Sequence, residues 1–256
     1  MFIDSHCHVN FPELAADLDA VTAAMAANNV THALCVCVNL EHFDSVLAVA
    51  QRYPNIYASA GVHPDERSGE EPDVERLVAL AAHPRVVAIG ETGLDYYRIE
   101  GDAEWQRQRF RNHIRAAKQC AKPLIVHTRE AAADTLRIMR EEMASAAGGV
   151  MHCFTETADV AYAAMEMNFL ISFSGIVTFK NATALKEVAR AVPLENMLIE
   201  TDAPYLAPVP YRGKTNQPAY VRFVAEEIAR LKGVPVQSVA AATTANFFRL
   251  FRESRP

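Results

Sequence analysis

Phe2-Ile3-Asp4-Ser5-His6-Cys7-His8-Val9-Asn10-Phe11-Pro12 opens the chain as a short apolar run that closes on two histidines. Leu14, Leu18, Val21 and Met25 follow at steps of four, three and four, the spacing of a helix face. The pair reads as one β-then-α unit. An open dinucleotide-binding sheet would carry Gly-x-Gly-x-x-Gly at this junction. Val-Asn-Phe-Pro stands there instead, so the phosphate-cradling turn is missing. Counting residues 2–8 as the first, eight such apolar runs occur, the others at 30–38, 56–62, 86–90, 124–127, 149–153, 169–173 and 197–202. Helical periodicity lies between them, as in Phe43, Val46, Leu47 and Ala50, or Phe110, Ile114 and Ala117. Strands alternating with helices are parallel βαβ units, and eight of them predict an α/β chain closed into a (β/α)8 barrel. No linker, low-complexity tract or repeat interrupts the pattern, so residues 1–256 read as one domain.

Composition narrows the function. The 256 residues hold 25 Lys and Arg against 31 Asp and Glu, a net charge of −6, with half the residues hydrophobic and 22% charged. Such a chain is globular, not disordered, collagen-like or coiled-coil. Its acidity argues against coating nucleic acid or membrane by bulk charge, while leaving room for a local basic patch. Cys7, Cys35, Cys37, Cys120 and Cys153 are odd in number and form no Cys-x-x-Cys. A disulfide framework is not expected, and a reducing compartment fits. Asp4, His6 and His8 interrupt any signal-like start, and no run approaches the ~18 apolar residues of a membrane span. These features predict a cytoplasmic protein. Nothing in them points to a membrane or to a stable protein partner.

The histidines carry the chemistry by their placement. His6, His8, His63, His127 and His152 fall at the C-terminal ends of predicted strands, as do Glu91 and Asp202. Active sites of (β/α)8 enzymes lie at that face. His6 and His8, two apart on a strand, point the same way and can grip one metal ion. Taken alone, a His-x-His pair is a weak signal, and a glutamate such as Glu91 between Gly90 and Gly93 is usually a solvated loop residue. His127 ends Leu-Ile-Val and His152 ends Gly-Val-Met, a position where a histidine more often merely satisfies the core. Asp202 is read as a ligand or general base, or else as a simple cap, with Glu200 deeper on the same strand face. Taken together, four imidazoles and two carboxylates from five strand ends suit two divalent ions, such as Zn, Mn, Co or Mg. Two such ions clamp the attacking and leaving oxygens of a hydrolysis. Gathering these groups without a cation would cost several kcal/mol.

Asp4-Ser5-His6-Cys7-His8, Gly61-Val62-His63-Pro64, Gly90-Glu91-Thr92-Gly93-Leu94-Asp95, Val126-His127, His152-Cys153-Phe154 and Glu200-Thr201-Asp202-Ala203-Pro204-Tyr205-Leu206 occur in that order. In these motifs the chain resembles the TatD-type metal-dependent hydrolases, in particular their YcfH-like bacterial branch, from the first strand to the last helix. The resemblance implies a (β/α)8 fold, two divalent metals and deoxyribonuclease activity on a nucleic acid substrate. It implies that His6, His8 and Asp202 hold one metal, that His127 and His152 hold the other, and that Glu91 bridges them. None of these six positions departs from the family's pattern. Related amidohydrolases often bridge their metals with a carboxylated lysine near the fourth strand. Residues 86–95 contain no lysine, and Glu91 stands in that place.

On the substrate side, the proline-rich stretch after Asp202 is expected to stay non-helical before Gln217. It carries Arg212, Gly213, Lys214 and Asn216. Two cations beside a glycine suit a phosphate backbone, with a solvated charge cluster as the equal alternative. Lys180 is a weaker candidate. The helix beginning at Trp105, with Arg107, Arg109, Arg111 and Arg115, reads as a solvated face. The expected reaction has Asp202 taking a proton from water, Glu91 between the metals, Arg212 or Lys214 steadying phosphate charge, and His63 contacting substrate or relaying a proton. Two rivals remain. One is hydrolysis of another ester or amide, such as an aminoacyl-tRNA linkage. The other is a non-catalytic binding protein with a structural metal.

Overall fold

Each apolar run forms a strand in the computed structural model, which describes residues 1–254. The one-domain reading of 1–256 thus ends two residues beyond the described chain. The strands are β1 (Phe2–Cys7), β2 (Val30–Cys35), β3 (Ile56–Ala60), β4 (Val86–Asp95), β5 (Leu124–Arg129), β6 (Gly149–Met151), β7 (Phe169–Phe173) and β8 (Met197–Ile199). They lie side by side in sequence order, each pair parallel. The helices between them are α1 (Pro12–Ala15), α2 (Leu18–Ala27), α3 (Phe43–Arg52), α4 (Val74–Ala81), α5 (Glu104–Cys120), α6 (Ala132–Glu141), α7 (Ala158–Met165) and α8 (Thr183–Ala191). After β8 come α9 (Val221–Lys232) and α10 (Val236–Leu250). The first helical stretch is split in two, because Asp17 caps α2 by accepting from the Ala20 N–H at 2.9 Å.

The seam between β1 and β8 closes just past β8. His8 N–H donates to the Ala203 carbonyl (2.7 Å) and Asp202 N–H to that of His6 (3.0 Å). Below them the buried Asp4 carboxyl accepts from the Thr201 N–H (2.8 Å) and hydroxyl (2.5 Å), and Ser5 Oγ donates to the Ile199 carbonyl (3.0 Å). These bonds tie the segment carrying Asp202 to the strand carrying His6.

Alternation along the strands sorts side chains into two cores. Outward residues such as Leu124, Val126, Phe169 and Ile171 pack under the helices, where α5 buries Phe110, Ile114 and Ala117. Inward residues Ile3, Leu34, Ile125, Val150, Leu170 and Leu198 fill the barrel, and Phe247 and Phe251 join them. Two residues further along the inward face come Ser5 and Ser172, whose hydroxyls meet at 3.2 Å. Polarity therefore rises toward the C-terminal ends of the strands, and the ionisable groups stand on a packed floor.

Several strand ends differ from the sequence reading. β4 does not stop at Gly90 but runs on to Asp95. Gly90 (φ +139°) and Gly93 (φ +131°) bend it without ending it, and the register with β5 shifts between Ile89 and Thr92. Glu91 therefore sits inside a strand and is buried, not on a rim loop. β8 ends at Ile199, so strand alternation does not place Asp202, which follows in a left-handed conformation (φ +56°). β2, β3 and β6 are also shorter than their apolar runs. All five cysteines are free, and no helix among the described residues is long and apolar enough to cross a membrane.

Candidate metal centre

The barrel mouth opens into a cleft of about 590 Å³ lined by His8, His63, Glu91, His127, His152 and Asp202, among others. His6 lies buried directly beneath. Glu91 is the hub. Its Oε2 faces His6 Nε2 at 3.3 Å and His8 Nε2 at 4.0 Å. Its Oε1 faces His152 Nε2 (2.7 Å), His127 Nδ1 (3.3 Å) and His63 Nε2 (3.4 Å). Asp202 Oδ1 lies 3.4 Å from His8 Nε2 and 3.7 Å from His6 Nε2. A second cavity of about 640 Å³, lined by Lys122, Asn168 and Arg249, contains none of these groups.

For His8, His152 and His127 the partner behind the ring shows which nitrogen is free. His8 Nδ1 meets the Val36 carbonyl at 3.0 Å, a pure acceptor, so Nδ1 carries the hydrogen and Nε2 keeps its lone pair. His152 Nδ1 meets Glu200 Oε1 at 3.2 Å and is fixed in the same tautomer. His127 is reversed: Nε2 meets Asp95 Oδ2 at 3.2 Å, leaving Nδ1 free. The free nitrogens of His127 (Nδ1) and His152 (Nε2) then face each other at 3.4 Å, and the free Nε2 of His8 faces His6 Nε2 at 3.2 Å, the buried Nδ1 of His6 having no hydrogen-bond partner among the described residues. Lone pairs gathered this way need a cation between them. Outer hydrogen bonds to carboxylate or carbonyl are also what metal-binding imidazoles use. His63 is the exception, because its Nδ1 accepts from the Asp65 N–H at 3.0 Å. Its Nε2 therefore carries a hydrogen and acts as a donor into the cleft.

Charge tells the same story. Burial alone would raise Glu91, but His152, His63 and His6 outweigh it and hold the carboxyl well below the usual range. Burial likewise opposes charge on His152, His8 and His127. The carboxylates of Glu91 and Glu200, of Asp202, and of Asp95 and Glu91 respectively overcome it and raise all three. The acids thus demand positive charge at the centre of the mouth.

The structure brings together His6, His8, His63, Glu91, His127, His152 and Asp202. Glu200 is deep, as expected, and its Oε1 also accepts from the Cys153 N–H (2.7 Å). Arg212 and Lys214 are not brought in. Both are exposed on the loop after Asp202 and neither lines the cleft, with Arg212 resting over the Phe179 ring at 3.5 Å. Lys180 is exposed as well. Asn216 is buried and holds the loop, its Nδ2 donating to the carbonyls of Thr201 (2.9 Å) and Tyr205 (2.6 Å). The loop has no helix before the turn at Pro218–Tyr220, as its prolines predict.

Asp95 is the residue the sequence reading missed. It lies four residues after Glu91 on β4, an even spacing that the short strand boundary concealed. Asp95→Asn keeps an acceptor for His127 Nε2 but drops its charge. Cation affinity is expected to fall about 10- to 100-fold, measured by competition with a chelating dye; unchanged affinity would mean Asp95 does not tune His127.

Arg109 corrects the solvated-face reading of α5. Arg107, Arg111 and Arg115 do pair with surface acids. Arg109 turns inward at 5% exposure and donates to the carbonyls of His63 (2.9 Å) and Glu66 (2.7 Å), with Glu71 as its counter-ion. One turn on, buried His113 accepts the Val62 N–H on Nε2 (3.0 Å) and donates Nδ1–H to the Arg109 carbonyl (2.8 Å). These two residues hold His63 in place. Burial pushes the His113 pKa down from 6.5 to about 4. The unfolded chain therefore binds this proton first as pH falls. Stability present above pH 6.5 drains away toward pH 4, by about 3 kcal/mol at this one site. In denaturant unfolding at pH 7 and pH 5, His113→Gln should show a weaker pH dependence than the wild type.

A (β/α)8 barrel with this mouth has the architecture of a metal-dependent hydrolase. A family model described as TatD related DNase matches residues 3–252. The Escherichia coli K12 protein named uncharacterized metal-dependent hydrolase YcfH is 49% identical over 252 residues, covering 97% of this chain and 95% of that one. A Citrobacter rodentium protein named 3'-5' ssDNA/RNA exonuclease TatD is 36% identical over 245 residues, 93% of each chain. The crystal structure of YJJV, a TatD homologue from E. coli K12, superposes with a TM-score of 0.91 at 29% identity, covering 98% of both chains. The chain belongs to the TatD family of metal-dependent hydrolases.

Proposed function

We propose that this protein is a deoxyribonuclease that cleaves phosphodiester bonds with water and two divalent ions. The observation carrying this reading is Glu91: one oxygen faces His6 and His8, the other faces His127 and His152. His6, His8 and Asp202 would hold one ion, His127 and His152 the other, and Glu91 both. Zn, Mg, Mn and Co all suit this nitrogen and oxygen set. Ions bound there would supply Lewis acidity to the diester and make water acidic near neutral pH. A nucleic acid substrate is supported by the exonuclease name of the Citrobacter rodentium relative.

The chain's own residues do the rest. Asp202 is more open to the cleft than Glu91, its side chain 17% exposed against 3%, and its Oδ1 takes the proton of the attacking water. As oxygen bonds to phosphorus, the bond to the leaving oxygen breaks opposite it. His63 Nε2–H donates to a phosphate oxygen, while the Asp65 N–H keeps its other nitrogen from turning inward. Arg212 and Lys214, outside the cleft, would contact the strand as it leaves. The five free cysteines favour the reducing cytoplasm, and the hydrolase domain is taken to span 1–256.

The test is digestion of end-labelled single-stranded DNA by chelator-stripped protein refilled with Mg, Mn, Zn or Co, with product lengths resolved. Metal-dependent shortening is expected. If no metal restores cleavage while a neutral ester is hydrolysed, the other-ester reading takes its place. If chelation lowers only the melting temperature, the metal is structural.

A further inference from the structure

The cleft is walled by acids. Asp65, Glu66, Glu91 and Asp202 line it, and Arg129 is the one lysine or arginine among its described lining residues. Arg129 follows His127 by two residues on β5, so it shares the inward face. Two residues of strand set it about 6.6 Å beyond His127. Its guanidinium lies over the Tyr97 ring, 3.6 Å from the centroid.

Among the described residues Arg129 has no polar partner, as Arg140, Arg212 and Arg252 also have none, but of these it alone lines the cleft. Arg52, Arg107, Arg109, Arg111, Arg115 and Arg137 are ion-paired. Among the described residues the Arg129 side chain makes no hydrogen bond or ion pair. Asp95 feels its charge but is engaged by His127 and by the Tyr97 N–H. A ring against the flat face of a guanidinium fixes its plane and leaves its N–H edge open. That edge matches two oxygens of a phosphate.

We infer that Arg129, held flat by Tyr97, binds the substrate phosphate next to the scissile one. The inference rests on the nuclease reading and deepens it, because the clamp selects charged polyesters over neutral esters. The reacting phosphate belongs among Glu91, Asp202 and the imidazoles. A cation further along the same strand face is placed for the neighbouring phosphate, and it offsets acids that would otherwise repel the strand.

Wild type and Arg129→Gln are compared on two labelled single-stranded pentanucleotides. One is all-diester. The other carries uncharged methylphosphonates at its two middle linkages, so that a neighbouring charge is missing whichever end is cut. Arg129→Gln should raise KM on the all-diester strand about 10- to 100-fold with kcat within about twofold. On the methylphosphonate strand it should change neither. Arg129→Lys, which keeps the charge without the two-pronged edge, should recover part of the loss. Equal losses on both strands, or none on either, overturn the clamp and leave the nuclease reading standing. If neither strand is cut, the nuclease reading falls, and fluorescence-anisotropy binding of the same pair decides the clamp by the same difference. Binding of neither strand overturns it too.

Discussion

Glu91→Gln is expected to lower turnover by on the order of 10³-fold or more, with the fold retained. Glutamine fits the same space, but its amide has a donor end. Glu91 Oε1 faces His152, His127 and His63, and Oε2 faces His6 and His8. Whichever way the amide turns, one group of nitrogens meets N–H in place of an acceptor. The negative charge that holds His152 well above its usual pKa also disappears. Metal content by mass spectrometry should therefore fall along with activity, and circular dichroism should stay unchanged. A variant within about tenfold of wild type, carrying the same metal, would remove Glu91 from the centre of the site. Asp202→Ala should also lower turnover. It leaves the His127–Glu91–His152 half in place, so it should retain more metal than Glu91→Gln.

Gly93→Ala is expected to have the largest effect on stability. Gly93 has φ +131°, which side-chain-bearing residues rarely adopt, and an added Cβ would overlap the His127 carbonyl oxygen on the paired strand. That neighbour is backbone within a buried ladder and has nowhere to move. Strain and overlap together should cost about 3–5 kcal/mol, which lowers the melting temperature of a chain this size by about 6–20 °C. Any relief would come from shifting β5, which carries His127 and Arg129. The folded fraction should therefore also bind metal more weakly. A melting temperature within about 2 °C of wild type would mean β4 accepts a side chain there.

How far the sequence could be read depended on whether the signal was local. His6, His8, His127 and His152 were legible because each follows an apolar run, and the end of a run marks the functional face of a barrel. Glu91 was found for a reason that proved incomplete. Its glycines suggested a rim loop, whereas they bend a strand that continues to Asp95. Asp202 was legible as the end of the eighth apolar run, and its motif agreed. Strand alternation did not predict its position, because β8 ends three residues earlier. Arg109 and Arg111 have the same composition and the same helix. Only packing shows that one clamps the His63 loop and the other pairs at the surface. Arg212 and Lys214 illustrate the converse, since a basic cluster in sequence lies outside the cleft and Arg129 stands within it.

The amino-acid sequence alone determined the eight-unit barrel and the set of ligand-type side chains, since periodicity and strand-end placement are properties of neighbouring residues. The tertiary structure decided which nitrogen of His8, His63, His127 and His152 is free, which acids lie behind the rings, and which arginine faces the cleft. Those depend on contacts between strands and helices far apart in the chain. A hydrogen-bond partner such as Glu200 for His152, or Asp95 for His127, exists only once the barrel has closed.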